Sequence, residues 1–206
     1  SIGPDVAWCQ ADVTQPEQVK RYVDETVARF GRIDGFLNNA GIEGVVAPIT
    51  DSPIEMFDRV MAVNVRGVWL GLKYVMAEMQ KSGGGSIVIT SSTAGIKGGP
   101  GLSPYVTSKH AVVGMMRSAS REGAPFKIRV NTVNPSPIDT RMMRSLEQGM
   151  APSAPELAKE RVASGIPLGR YGQPEEVAEL MLFLVSDRAS FMTDDTYMVD
   201  GGISAT

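Results

Sequence analysis

Two neighbouring stretches of the chain decide its fold: Ser86-Ile-Val-Ile-Thr-Ser-Ser92 and Ser103-Pro-Tyr-Val-Thr-Ser-Lys-His-Ala-Val-Val-Gly114. The first is a short apolar run after three glycines, which is typical of a buried strand. The second lies in a predicted helix of about residues 103–121. A strand followed by a helix, repeated along a chain, indicates a parallel sheet with helices on both faces. The predicted fold class is therefore α/β, with a doubly wound parallel sheet.

The same alternation continues along the rest of the chain. Helices are expected at about residues 14–30, 52–81, 103–121 and 174–186, and Gly31 and Gly83 are placed to end the first two. Strands are expected at residues 6–10, 36–38, 86–90, 129–133 and 196–199. Ser92, Asn39, Tyr105 and Pro135 all fall at or after strand ends, where open α/β sheets bind ligands.

The composition of the chain excludes several classes of partner and site. A length of 206 residues fits one globular domain over residues 1–206. The net charge of −3 without a basic run argues against nucleic acid as a partner. No apolar run approaches the roughly 18 residues of a membrane helix, so no membrane partner is expected. One cysteine excludes an internal disulfide and one histidine excludes a histidine metal cluster. We therefore expect no metal site and, by default, cytoplasmic residence.

Tyr105 and Lys109 lie four residues apart, so they face one side of the expected helix with about 5–6 Å between their Cβ atoms. A free tyrosine has a pKa of about 10 and is a poor base at neutral pH. A nearby ammonium lowers that pKa, and a hydroxyl such as Ser92 can bind the same substrate oxygen. The pattern therefore predicts proton exchange with an alcohol or ketone oxygen.

The tyrosine–lysine spacing alone carries little weight, because such a pair is more often an exposed helix contact worth roughly a few tenths of a kcal/mol. Further motifs in a fixed order strengthen the hypothesis. They are Asn38-Asn39-Ala40-Gly41 after an apolar strand, Asn64 in Met61-Ala-Val-Asn-Val-Arg-Gly67, and Asn134-Pro135-Ser136-Pro137-Ile138-Asp139-Thr140 after a later strand.

With these motifs the sequence resembles the short-chain dehydrogenase/reductase family over essentially all of its 206 residues. The resemblance implies a Rossmann-type fold and a catalytic tetrad of Asn64, Ser92, Tyr105 and Lys109. Tyr105 would exchange the proton, and Ser92 would orient the carbonyl or hydroxyl. Lys109 would hold the nicotinamide ribose and lower the tyrosine pKa, while Asn64 would support a water chain to solvent. The implied reaction interconverts a secondary alcohol and a ketone by hydride transfer.

The resemblance also implies a nicotinamide coenzyme, NAD or NADP, and residues that contact it. These residues are Asp12, Val13, Asn39, Ala40, Gly41, Tyr105, Lys109, Pro135, Ile138 and Thr140. The first two would contact adenine, the Asn-Ala-Gly run would line adenosine, and the loop after the later strand would cover the nicotinamide. The alternative role of Asp12 is that of a turn residue. The residue that normally selects between NAD and NADP ends a strand that this sequence does not contain.

Family members begin with a strand, a Gly-rich turn and a helix that seat the coenzyme pyrophosphate, and no such motif precedes Asp12. We therefore expect a partial Rossmann-type domain that lacks the first βαβ unit. The strand at residues 6–10 would lose a neighbour, and the Phe36 strand would become an edge. A polypeptide of these residues alone is expected to be unstable and inactive. The resemblance further implies a homotetramer with the helices of residues 52–81 and 103–121 between subunits.

Two departures from the family pattern stand out. Ser136 occupies a position where glycine is usual, and Thr193-Asp-Asp195 occupies one where Thr-Gly is usual. A positive φ at Ser136 would strain the loop by about 1 kcal/mol or more. The second departure could affect packing or assembly.

The substrate is expected to be a small alcohol or ketone. Substrate walls are expected from residues 43–44, 93–96 and 141–166 and from Pro137. Met142, Met143, Leu146 and Met150 follow helical spacing, which indicates core more often than pocket, although a pocket of these residues would be apolar and adaptable. Residues 30–44 are similar to levodione reductase-like and other cyclic-alcohol dehydrogenases of the family. Two alternatives remain open: a non-catalytic fragment, or a coenzyme-independent lyase or dehalogenase on the same fold, whose members carry arginine at the position of Lys109.

Overall fold

The computed structural model describes residues 5–205, and its centre is a four-stranded parallel sheet. The strands are β1 (Gly35–Asn38), β2 (Gly85–Thr90), β3 (Ile128–Pro135) and β4 (Thr196–Val199), in the order β1-β2-β3-β4. The register places Leu37 opposite Val88 and Val88 opposite Asn131. Because every pairing is parallel, all carboxyl ends of the strands meet at one edge of the sheet.

Helices connect the strands and cover the sheet. They are α1 (Pro16–Phe30), α2 (Ile54–Met61), α3 (Val68–Ser82), α4 (Ser103–Gly123), α5 (Arg141–Met150), α6 (Pro155–Ser164) and α7 (Pro174–Val185). A π-helical segment, Ala62–Gly67, joins α2 to α3 without a break. Within residues 5–205 none of the helices combines the length and the apolar character needed to span a bilayer.

Alternate side chains of β2 face opposite layers, and both layers are buried. Ile87 and Ile89 lie in a cluster with residues of α1, α3 and α4, whereas Val88 lies in a cluster with residues of α7. All three β2 side chains are fully buried, which contributes about 1.5–3 kcal/mol each. A sheet with buried helices on both faces confirms the predicted α/β, Rossmann-type doubly wound fold.

Several predicted boundaries are confirmed by backbone conformation. Gly31 and Gly83 end α1 and α3 with φ of 83° and 92°, which is the left-handed region that favours glycine. The Phe36 strand is at the edge of the sheet, as expected. The long helix predicted at residues 52–81 instead consists of α2, the π-helical segment and α3.

The predicted strand at residues 6–10 is wrong. No residue among 5–205 pairs with it as a strand neighbour, and a strand requires lateral hydrogen bonds. Trp8 is exposed, and the Gln10 carbonyl accepts a hydrogen bond from the Arg21 guanidinium at 2.8 Å. The start of α1 also differs, because the Thr14 hydroxyl donates to Asp12 Oδ1 at 2.8 Å and does not cap the helix.

The two departures from the family pattern have different outcomes. Among the described residues other than glycine, only Lys127 and Asp194 have positive φ, so Ser136 does not carry the strain considered for it. Asp194 has φ of 67°, so aspartate occupies a left-handed position in the segment where Thr-Gly is usual.

Candidate active site

Side chains near the ends of the strands form hydrogen bonds that connect neighbouring strands. The Thr90 hydroxyl, at the end of β2, donates to Asn39 Oδ1 just after β1 at 2.6 Å. Asn134, near the end of β3, donates from Nδ2 to the Ser92 carbonyl at 2.9 Å. These hydrogen bonds hold together the carboxyl ends of the strands, where Ser92, Tyr105 and Lys109 are located.

Ser92, Tyr105 and Lys109 converge at that edge. The Ser92 hydroxyl lies close enough to the Tyr105 phenol to lower its pKa, and it donates to the Pro135 carbonyl at 3.4 Å. Lys109 Nζ lies 5.4 Å from the centre of the Tyr105 ring and donates to the Thr90 carbonyl at 2.8 Å. The Ser91 hydroxyl donates to the Lys109 carbonyl at 3.1 Å, so α4 is attached to the end of β2 by main chain and side chain. The predicted juxtaposition of phenol, ammonium and strand-borne hydroxyl is therefore present.

Burial controls the charge of both titrating groups. It raises the pKa of the Tyr105 phenol above its ordinary value, the hydrogen bond from Ser92 lowers it, and the negative charge of Glu43 raises it further. Burial lowers the pKa of Lys109 to about 8. The expected net lowering of the tyrosine pKa is therefore not found, because burial outweighs the hydrogen bond. A phenol with a raised pKa stays protonated at neutral pH.

Asn64 lies in the π-helical segment and is 1% exposed. Its Oδ1 accepts from the Ile42 amide at 2.8 Å, and its Nδ2 donates to the Ile42 carbonyl at 2.9 Å and to the Ser108 hydroxyl at 3.0 Å. Ser108 in turn donates to the Tyr105 carbonyl at 2.7 Å. Asn64 thus joins the chain after β1 to the helical turn that carries Tyr105. One-turn π segments are frequent at functional sites.

A cavity of about 850 Å³ opens at this edge of the sheet. Its walls include eight of the residues predicted for catalysis or coenzyme binding: Asn39, Gly41, Ser92, Tyr105, Lys109, Pro135, Ile138 and Thr140. Asn64 is buried behind the cavity, and Ala40 is exposed next to Asn39. Val13 packs against the π-helical segment, since a Cβ added at Gly67 would lie 2.8 Å from Val13 Cγ2.

Asp12 does not border the main cavity. It borders a second cavity of about 730 Å³ together with Trp8, Gln10 and Arg21. Its Oδ1 accepts from both the amide and the hydroxyl of Thr14, at 2.9 and 2.8 Å. These hydrogen bonds lower the pKa of the Asp12 carboxyl. The side chain therefore forms the turn considered as its alternative role, and its contact with adenine stays a prediction.

One wall of the main cavity is apolar. It is formed by four residues of α5, namely Met142, Met143, Leu146 and Met150, which are therefore pocket residues. Two of them, Met143 and Leu146, also belong to a buried cluster. Sequence reasoning missed Val177, Ala178 and Met181 of α7, which border the same cavity. An apolar residue on a predicted helix gives no signal that separates a cavity wall from core.

Residues 43–44 were expected to form part of the substrate wall, but neither is among the residues that line the main cavity. Glu43 is 8% exposed, its charge acts on the Tyr105 phenol, and its carboxylate lies 3.8 Å from Arg141, which borders the cavity. Within residues 5–205 no group of three or more His, Cys, Asp or Glu side chains is placed to bind a metal.

Comparison with known proteins agrees with this geometry. Residues 1–204 match the family model described as enoyl-(acyl carrier protein) reductase. Levodione reductase from Leifsonia aquatica is 42% identical over 195 residues, covering 95% of this chain and 73% of that protein. Cyclohexanol dehydrogenase from an Acinetobacter species is 38% identical over 205 residues, covering 100% of this chain and 77% of that protein.

Solved structures are similar over the same range. The crystal structure of levodione reductase superposes with a TM-score of 0.93 and 41% identity, covering 95% of this chain and 76% of that one. The structure of NAD+-bound xylitol dehydrogenase superposes with a TM-score of 0.88 and 35% identity, covering 93% and 77%.

The fold and the site therefore define an oxidoreductase. The chain belongs to the short-chain dehydrogenase/reductase family. The predictions of this family, of a nicotinamide-dependent enzyme and of similarity to levodione reductase and cyclic-alcohol dehydrogenases are confirmed.

Proposed function

We propose that this enzyme interconverts an apolar, cyclic secondary alcohol and the corresponding ketone, with NAD or NADP as the coenzyme and Tyr105 as the general acid and base. The observation that carries the proposal is the convergence of Ser92, Tyr105 and Lys109 on one cavity wall, with the Lys109 ammonium 5.4 Å from the centre of the tyrosine ring. Relatives named levodione reductase, cyclohexanol dehydrogenase and cyclopentanol dehydrogenase support the cyclic substrate class.

The residues around Lys109 fit the ribose of a nicotinamide nucleotide. An ammonium has three N–H donors. Among the residues that the structure describes, Lys109 Nζ has one hydrogen-bond acceptor, the Thr90 carbonyl. The chain at Gly41 packs beside the ammonium, because a Cβ at Gly41 would lie at ordinary contact distance, 3.6 Å from Lys109 Nζ. Lys109 would therefore bind ribose hydroxyls, and Pro135, Ile138 and Thr140 would cover the nicotinamide.

Proton transfer follows from the state of Tyr105. Its raised pKa keeps the phenol protonated, so it can donate a proton to a ketone oxygen during reduction. Ser92 donates a second hydrogen bond to the same oxygen and holds the carbonyl in place. In the oxidative direction Tyr105 first releases its own proton towards solvent, and the phenolate then accepts the proton of the alcohol. When bound, the coenzyme supplies or accepts the hydride. Asn64 fixes the turn of α4 that carries Tyr105, and its support of a water chain remains part of the proposal.

The apolar wall selects for substrates without charge. Burying a charged substrate group against Met142, Met143 and Leu146 without a partner would cost several kcal/mol, whereas a saturated ring gains about 25 cal/mol per Å² of apolar surface removed from water. Methionine side chains adapt to ring substituents of different shape.

The test uses the full-length protein and a ketone panel of cyclopentanone, cyclohexanone and substituted cyclohexanones with NADH and NADPH. Tyr105→Phe removes the transferable proton and is expected to lower kcat by about 100-fold or more, while the Kd of the reduced coenzyme stays within about twofold. Tyr74→Phe is the matched control, because Tyr74 also lies beneath a lysine, Lys73, at 5.9 Å, but packs in the core. Undiminished turnover by Tyr105→Phe would refute the role of the phenol.

Assembly and location are further parts of the proposal. A homotetramer would bury the exposed apolar side chains of Ile54, Phe57 and Trp69, which belong to the α2–α3 region. Sedimentation that detects only monomer would remove this part. Cytoplasmic residence remains a prediction, and fractionation of cells that produce the full-length protein tests it.

A further inference from the structure

Arg144 bridges two carboxylates, Asp139 and Glu147, whose neighbours in the chain border the cavity. Its Nη1 donates to both carboxylate oxygens of Glu147 at 3.0 Å, and its Nη2 donates to Asp139 Oδ1. Glu147 is one turn along α5 and is 1% exposed. Asp139 lies in the segment of residues 135–140, called here the coenzyme loop, which follows β3.

The two bridged elements, the coenzyme loop and α5, both contribute residues to the cavity wall. Asp139 is flanked by Ile138 and Thr140, which border the cavity on the coenzyme side. Arg144 is on the same helix as Met143 and Leu146, which form the apolar side. One guanidinium therefore connects the wall assigned to the coenzyme with the wall assigned to the substrate.

The chain just before α7, at residues 171–172, contacts both the coenzyme loop and α5. Gly172 donates to the Pro137 carbonyl at 3.0 Å and accepts from the Asp139 amide at 2.9 Å, so the coenzyme loop is paired with the chain before α7. The neighbouring Tyr171 is buried in a cluster with Met143 and Leu146 of α5. The coenzyme loop and α5 are thus attached both to each other and to a common support.

Electrostatics makes the arginine difficult to replace. Glu147 is a buried carboxylate, and Arg144 is its ion-pair partner among the described residues. Removing one member of a buried pair leaves an uncompensated charge, which is strongly destabilising. Lys159 of α6 lies 3.8 Å from Asp139 Oδ2, but its single ammonium cannot contact two carboxylates in the way that the two terminal nitrogens of Arg144 do.

We propose that Arg144 is a positioning residue that couples coenzyme binding to substrate binding, because it makes the coenzyme loop and α5 move as one unit. The inference rests on the proposed function, in which these elements contact the coenzyme and the substrate. Coenzyme binding would order the loop and, through Arg144, the apolar wall, which raises the affinity for substrate. Bound substrate would then raise the affinity for the coenzyme by the same factor.

The experiment measures the Kd of NADH by fluorescence in the full-length protein, with and without saturating cyclohexanol or the alcohol of the panel ketone that is reduced fastest. Reduced coenzyme and alcohol cannot react, so the titration reports binding alone. In the natural protein the alcohol is expected to lower the Kd of NADH at least fivefold. In Arg144→Gln the ratio is expected to fall below twofold.

Two further variants separate positioning from folding. Asp139→Ala removes the oxygen that accepts from Arg144 Nη2 but keeps the Arg144–Glu147 pair, so it should fold normally and still lose most of the coupling. Arg170→Gln is the control, because Arg170 makes a similar bidentate pair with Glu176 at 2.8 Å near the same segment. It should leave the coupling unchanged.

The outcomes are distinct. Absence of coupling in the natural protein, coupling that survives both Arg144→Gln and Asp139→Ala, or an equal loss in Arg170→Gln overturns the inference. A protein that binds neither NADH nor NADPH overturns the proposed function itself.

Discussion

Lys109 Nζ donates a 2.8 Å hydrogen bond to the carbonyl oxygen of Thr90, so the last residue of β2 positions the ammonium next to the Tyr105 ring. The lysine is 5% exposed, and burial of its charge disfavours the protonated form. Its pKa of about 8 lies close to neutral, well below the ordinary lysine value of 10.5. The charge on which coenzyme binding would depend is therefore titratable near physiological pH.

The affinity for coenzyme should depend on pH through Lys109. The ammonium is present below about pH 8 and is lost as the pH rises through that value. We expect the Kd of NADH or NADPH to increase severalfold between pH 7 and pH 9.5, because the neutral amine loses its charge and one N–H donor. Fluorescence titration measures this. Lys109→Met should bind weakly at both pH values, and a Kd in the natural protein that stays constant over this range would contradict the prediction.

Asn64 should contribute to stability and activity together. In Asn64→Ala the Ile42 amide and carbonyl lose their partners, at about 1–3 kcal/mol for each buried group left unsatisfied. Activity should also fall at least tenfold, because the turn that carries Tyr105 is held through Ser108. Thermal unfolding and initial rates measure the two effects.

Asn131→Ala is the matched control for Asn64→Ala. Asn131 is fully buried, donates to the Met192 carbonyl at 2.9 Å and accepts from the Asp195 amide at 3.3 Å, on a different part of the sheet. It should lower stability by a similar amount while the kcat of the remaining folded protein is unchanged. Equal losses of activity in both variants would show that Asn64 has no specific role at the site.

The part of the site that sequence could predict depends on local geometry. Residues four apart on a helix share a face, so the positions of Tyr105 and Lys109 follow from their spacing alone. Glycine at the ends of α1 and α3 is equally local, because only a residue without Cβ adopts positive φ freely. Parallel strands bring their carboxyl ends together, so the convergence of Ser92 with Tyr105 followed once the strand order was assumed.

The part of the site that the sequence could not predict depends on which hydrogen-bond partner each group takes and on how deeply it is buried in the folded chain. Asp12 has two local donors from Thr14, and this contact fixes its side chain away from the main cavity. The π-helical segment requires only a shift of hydrogen-bond partner by one residue, which leaves no pattern in the residues around Asn64. The raised pKa of Tyr105 results from three-dimensional burial, which the spacing of charges along the chain does not report.

Asp194 is the residue at which a single substitution should stabilise the protein. Its φ of 67° places a side chain in the left-handed region, and its Oδ1 is buried without a hydrogen-bond partner among the described residues. Its Oδ2 is 3.5 Å from Arg121, but Arg121 is largely exposed, and such a pair contributes about 0–1 kcal/mol. Asp194→Gly removes the steric cost of about 1–2 kcal/mol and the orphaned oxygen.

We expect Asp194→Gly to raise the free energy of unfolding by about 1 kcal/mol, after allowance for the greater freedom of glycine in the unfolded chain. For a protein of this size that corresponds to an increase in Tm of about 2–4 °C. Asp194→Ala is the control, because it removes the same carboxylate but keeps a Cβ in the left-handed conformation. Differential scanning calorimetry should therefore rank glycine above alanine. If the two variants melt at the same temperature, backbone strain at this position is not what limits stability.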